Sequence, residues 1–157
     1  LEAVQLFNVL SPETVLLDVE PFESKEVMFQ LLCEKFLEAK VITSIDGFID
    51  ALNYRESLGS TYMGHSIAIP HGKSSVVVKP GICFCRCKEG FVYKSHDEVG
   101  QVTLIFMLAI PEEQPAEEYL QTLASLARLL MHDRFVELLH HVGSYQELSQ
   151  LIREYKV

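Results

Sequence analysis

Apolar positions along the chain change their period several times, and each change marks an element. Val15 to Val19 reads as an early strand. Ser24 then offers an N-cap to a helix whose apolar stripe runs Val27, Met28, Leu31, Leu32 and Phe36. A second helix is predicted over about Asp46 to Leu58, with Ile45, Phe48, Ile49 and Leu52 at helical spacing. Three apolar stretches follow: Ser66 to Ile69, Ile82 to Cys87, and Val102 to Ile110. The last is nearly unbroken, as a strand covered on both faces requires. Pro115 opens a helix carrying Leu120, Leu123, Leu126, Ala127 and Leu130. Two shorter helical segments, near Asp133 to His141 and Ser144 to Tyr155, close the chain. Strands interleaved with helices on this scale predict an α/β layered fold around a central sheet. Periodicity leaves the strand order open. No linker, repeat or low-complexity tract interrupts the pattern, so residues 1–157 are expected to form a single domain.

Composition narrows the function classes. A chain of 157 residues can bury one core without disulfides. Its 48% hydrophobic and 22% charged residues sit near globular averages and argue against disorder. The formal net charge of -9 argues against nucleic acid and against an anionic membrane surface, and favours a basic protein partner. The longest apolar run, Val102 to Ile110, is far shorter than the ~20 residues of a membrane helix. Nothing at the start has the basic-then-apolar layout of a signal peptide. Leu1 is not an initiator residue, so the expectation is a trimmed chain or a domain from a longer polypeptide.

Of the four cysteines, Cys83, Cys85 and Cys87 alternate and would share one face of a strand, while Cys33 stands apart. Neighbours in that row would be ~6.6 Å apart with parallel side chains, which suits neither a disulfide nor a CxxC metal or redox site. They read as small buried hydrophobes in a reducing cytoplasm.

The histidines are the first place to seek chemistry. His140 and His141 are adjacent on a helix and point about 100° apart, so they cannot chelate together. His96 and His132 lie in polar surroundings at element ends. His65 and His71, six apart along an extended stretch, would be ~20 Å apart and cannot share a metal. His71 stands out for its setting, SIAIPHGKS. The apolar strand Ile67–Ala68–Ile69 is expected to end at Pro70, which cannot donate to a ladder. Gly72 would let the backbone turn sharply and another molecule come close. A histidine there is either a structural turn residue or a firmly held nucleophile, whose ordinary pKa near ~6.5 leaves a nitrogen free to attack.

Arg55 falls seven residues after Phe48 and three after Leu52, on the buried stripe of its helix. Its guanidinium has three readings: an ion pair, a snorkelling head group, or a fork of donors for phosphoryl oxygens. The acidic run Glu112, Glu113, Glu117 and Glu118 is explained by the positive end of the helix after Pro115.

The stretch ALNYRESLGSTYMGHSIAIPHGK, from Ala51 to Lys73, resembles the EIIA domain of the fructose/mannitol class of phosphotransferase systems. The similarity extends through KPGICFCRCKEGFVY and VTLIFMLAIPEE into the Leu-rich helix, and so covers most of the chain. The resemblance implies a three-layer α/β/α fold, with a mixed sheet flanked by helices. It implies a cytoplasmic phosphotransferase component in which His71 takes a phosphoryl group from phosphohistidine on HPr and Arg55 stabilises its oxygens. EIIB is the implied acceptor, serving a membrane EIIC, with no nucleic acid and no metal or other cofactor required. EIIA-like domains also serve as regulatory modules, of nitrogen type or attached to transcription activators, which is the alternative role.

The chain departs from the family pattern at four places. Tyr119 stands where a second histidine is usual, as either a core aromatic or a phenol donating to a phosphoryl oxygen. Tyr62 and Ser66 replace glycines, and His65 stands where Asn is common.

Overall fold

In the computed structural model, which describes residues 6, 8–96 and 98–156, a long hairpin forms the spine of the sheet. Its arms are β5 (Gly81–Ser95) and β6 (Glu98–Pro111), antiparallel with Phe84 opposite Phe106 and Ser95 opposite Glu98. Strand β1 (Val15–Val19) runs parallel to β5 on one side. On the other side β3 (Ile67–Ala68) and β4 (His71–Ser74) follow one another along β6, both parallel to it. Strand β2 (Tyr62–Gly64) closes that edge, antiparallel to β3. The sheet is therefore mixed, in the order β1-β5-β6-β3-β2 with β4 also on β6.

Helices cover both faces. One layer is α1 (Lys25–Glu38) and α2 (Ile45–Ser57). The other is α3 (Ala116–Leu130), α4 (Asp133–Leu139) and α5 (Tyr145–Glu154). Alternation along β6 supplies both cores. Ile105, Met107 and Ala109 pack with Phe29, Phe36, Phe48 and Leu52 below α1 and α2. Leu104, Phe106 and Leu108 pack with Leu126, Leu129, Phe135 and Ile152 below the other three helices. Ser24, Ser44 and Ser144 each accept a bond from a main-chain N–H three residues on and so start α1, α2 and α5. Such caps are worth about 1 kcal/mol each. No helix among the described residues is long and apolar enough to cross a membrane.

The predicted helices and β1 stand where the pattern put them, within a residue or two. The strands Ile82–Cys87 and Val102–Ile110 are only the inner halves of β5 and β6. Beyond them Phe91, Tyr93 and Ser95 are buried while Val92 and Lys94 face outward. That half-buried alternation differs from the continuous apolar run of a strand covered on both faces. Cys83, Cys85 and Cys87 share one face, all buried in the core below α1 and α2. Burial pushes the Cys33 thiol up to about 12 and Cys83 higher still, so both remain protonated and inert.

Candidate functional site

The strand before the Pro-His-Gly block ends at Ala68, two residues short of Pro70, and β4 starts at His71 in the same register on β6. The Pro70 carbonyl still accepts from the Leu108 N–H at 3.0 Å, and pairing resumes at once with His71 opposite Leu108. Proline interrupts the ladder for want of an N–H but leaves the chain on course. His71 is thus fixed within a strand rather than poised on a turn. Gly72 likewise stays in the ladder, opposite Ala109. A Cβ there would stand 3.0 Å from Ala51 Cβ, 3.1 Å from a Phe48 ring carbon and 3.2 Å from the Leu52 nitrogen. What approaches Gly72 is α2 itself. Its close approach brings Arg55, one turn beyond Ala51, to the imidazole.

Two bonds define that imidazole. Nδ1 lies 2.9 Å from the Ile69 carbonyl oxygen. A carbonyl can only accept, so Nδ1 carries the ring proton. Nε2 keeps its lone pair and receives the Nε–H of Arg55 at 3.2 Å. Arg55 is steadied by a second bond, Nη1 to the Gly59 carbonyl at 2.8 Å, which leaves further donors of its fork open. Burial pulls the His71 pKa below its ordinary value. The Ile69 bond opposes that shift, the Arg55 charge adds to it, and the Glu56 charge opposes it. The outcome is a neutral, half-buried imidazole with one aimed lone pair.

Beside this pair lies a carboxylate that the residue pattern left unnoticed. Glu56 is only 4% exposed, whereas Arg55 lies at the half-buried margin of the helix. The buried stripe of α2 therefore runs Phe48, Leu52, Glu56, and that i, i+4, i+8 spacing was the available signal. Glu56 accepts from the Thr61 hydroxyl, from Tyr93 Oη at 3.1 Å and from Ser95 Oγ at 2.5 Å. Lys25 Nζ donates to the same Ser95 hydroxyl at 2.9 Å, completing a buried link to α1.

Lys73 follows His71 by two residues on the same strand, so both face the same side of the sheet. Its ammonium donates to the Gln114 carbonyl at 2.9 Å and sits 5.2 Å from the centre of the Tyr119 ring. Tyr119 is half-buried in a cleft shared with Leu108, the residue opposite His71. No bond joins its phenol to His71 or Arg55 among the described residues, and its ring packs instead against a cation.

The altered turn closes the β2–β3 hairpin with His65 at φ 53° and Ser66 at φ 65°. Both adopt the left-handed conformation that glycine or Asn takes more readily. The Tyr62 ring lies against the bare backbone of Gly100, where a Cβ would come within 2.3 Å of it. The substituted tyrosine is thus accommodated by a glycine on β6. Among the described residues no cluster of three metal-ligating side chains exists.

Fold and site together describe an α/β sandwich domain that presents a neutral imidazole beside a guanidinium fork. The chain belongs to the EIIA 2 family of the phosphoenolpyruvate-dependent sugar phosphotransferase system, whose model matches residues 8–155. It is 31% identical over 147 residues to the "PTS system fructose-specific EIIA component" of Haloferax volcanii, covering 94% of each chain. It is 30% identical over 153 residues to the "PTS system fructose-specific EIIABC component" of Bacillus subtilis. There the match takes in 97% of this chain but spans only 24% of that longer protein. Among solved structures, nitrogen regulatory protein IIA-Ntr from Neisseria meningitidis superposes with a TM-score of 0.82 at 29% identity. That superposition covers 94% of this chain and 99% of the other.

Proposed function

We propose that this chain is a phosphocarrier that receives a phosphoryl group on Nε2 of His71 from the phosphohistidine of HPr and passes it to an EIIB domain during sugar uptake. The observation that carries the reading is the fixed tautomer, with Nδ1 bound to the Ile69 carbonyl and Nε2 aimed at Arg55. The N–P bond in HPr breaks as an N–P bond forms at Nε2, and the released electron pair stays on the HPr imidazole. The His71 proton remains on Nδ1, where the Ile69 carbonyl shares the positive charge that develops on the ring. Arg55 shifts its Nε–H from the lone pair to a phosphoryl oxygen, so charge stabilisation comes from the protein. Tyr119 takes a supporting part, its ring holding the Lys73 ammonium on the face that His71 shares. Transfer to EIIB is supported by the relative whose single chain is named for A, B and C components together. A cytoplasmic location follows from that traffic.

The test is transfer of radiolabelled phosphate from phosphoenolpyruvate through Enzyme I and HPr. Wild type should be labelled and His71→Ala should not. An unlabelled wild type facing charged HPr overturns the reading. The likeness to a nitrogen regulatory protein favours a second role, in which the phosphorylated state controls partner binding. Retention of label in the presence of EIIB domains would select that role.

A further inference from the structure

Glu56 is a buried carboxylate with no part in the transfer described above, yet its bonds lead to both residues that do take part. The loop after α2 carries two carbonyls that matter. Gly59 accepts from Arg55 Nη1 at 2.8 Å. Thr61 accepts from the Ile69 N–H at 3.0 Å, and the Ile69 carbonyl in turn accepts the His71 Nδ1 proton at 2.9 Å. What anchors this loop from inside is Glu56, which takes the Thr61 hydroxyl and, at 3.4 Å, the Thr61 N–H. Tyr93 and Ser95 hold the carboxylate from β5, and Lys25 holds Ser95 from α1. Burial and the Glu56 charge keep the Tyr93 phenol well above its usual pKa, so it remains a donor.

We propose that Glu56 is the positioning residue of the phosphoryl site, setting the tautomer of His71 and the aim of Arg55 through the Gly59–Thr61 loop. This deepens the phosphocarrier reading and rests on it for its catalytic consequence. Its structural consequence stands independently, because the tautomer belongs to the unphosphorylated protein. A carboxylate suits the task because it only accepts, and every group pointed at it here donates. An amide in its place would turn an N–H₂ toward hydroxyls and a main-chain N–H, and the loop would have to shift. Displacements of about 1 Å at a reacting pair can cost on the order of 100-fold in rate.

The experiment compares wild type, Glu56→Gln and Thr61→Val, using full-length ¹⁵N-labelled chain. The first readout is the pair of His71 ring-nitrogen shifts in the unphosphorylated protein. The second is the rate of labelling by phosphorylated HPr. Wild type should show one protonated and one bare nitrogen, well separated. In Glu56→Gln the two shifts should move toward each other, with labelling slowed roughly 10- to 100-fold while circular dichroism stays native. Thr61→Val, which removes one hydroxyl without changing shape, should move both readouts the same way by less. A folded Glu56→Gln with wild-type shifts and rate overturns the proposal. Should Glu56→Gln not fold, Thr61→Val decides alone, and wild-type behaviour there overturns it. If wild type takes no label at all, the phosphocarrier reading falls, while the nitrogen shifts still decide the role of Glu56.

Discussion

Two buried charges, Glu56 on one face of the sheet and Arg86 on the other, have different kinds of partner. On the α1–α2 side, Glu56 is met by side-chain hydroxyls from Thr61, Tyr93 and Ser95. On the other side, Arg86 is 7% exposed and donates to the main-chain carbonyls of Leu139 at 3.0 Å and Val142 at 2.6 Å. Its charge partner, Asp18 at 3.0 Å, has a side chain 67% exposed. Burying either charge costs several kcal/mol of solvation, so each must recover that elsewhere. Arg86 recovers it by clamping the end of α4 to β5, and none of its bonds leads toward His71. Glu56 recovers it within a network that ends on the two residues of the site. One buried charge secures a helix, whereas the other secures an alignment.

Three measurements could break or sharpen that contrast. The largest effect is expected from Arg86→Met, which strands two carbonyls near the end of α4. Urea denaturation should show a loss of about 3 kcal/mol, while phosphate labelling below the unfolding transition stays within twofold of wild type. A large labelling defect in a folded Arg86→Met would erase the distinction between the two clusters. Next is Gly72→Ala, which sets a methyl against Phe48, Ala51 and the Leu52 backbone. It should cost about 1–3 kcal/mol and, by moving α2 off β4, slow labelling as well. Equal stability with normal labelling would show that the close approach of α2 is not what delivers Arg55.

The smallest effect is a pH dependence. His71 and the more exposed His140 both titrate below the ordinary histidine value, chiefly through desolvation of the ring, which is only partial at His140, and partly through Arg55 and Arg86 respectively. Between their folded values and ~6.5 the unfolded chain binds more protons, so stability is full above that pH and falls as pH drops through the window. His71→Gln should flatten this fall in urea midpoints more than His140→Gln, since His71 is the more buried. The reverse ranking would place the stronger depression on the Arg86 side.

Much of this architecture is legible in the residue pattern, for a local reason. Ser24 before Val27 and Met28, or Leu123, Leu126 and Leu130 along α3, declare a helix through spacing within a few turns. The unbroken run from Leu104 to Ile110 declares a strand covered on both faces. The outer half of the hairpin was missed because Phe91–Ser95 buries only one side. At the site, His71 and Arg55 were visible by type and by motif. Glu56, the second half of the Arg-Glu pair in the motif, was given no role, because its neighbour Arg55 occupied the same expectation for the buried stripe, and one residue of rotation on a helix separates the two.

The sequence by itself determined the helices, β1 and the inner halves of the hairpin, and that an imidazole and a guanidinium were the candidates for chemistry, while β2 and β4 were not legible in it. Tertiary structure alone decided that pairing along β6 resumes past Pro70, that Gly72 serves α2 rather than a turn, that Tyr119 packs on Lys73, and which nitrogen of His71 is bare. Periodicity is written in neighbours a few residues apart. The tautomer rests on a chain of bonds from Glu56 through Thr61 and Ile69, anchored by Ser95, 39 residues further along the chain. Such distant partners meet only once the hydrophobic core has closed around them.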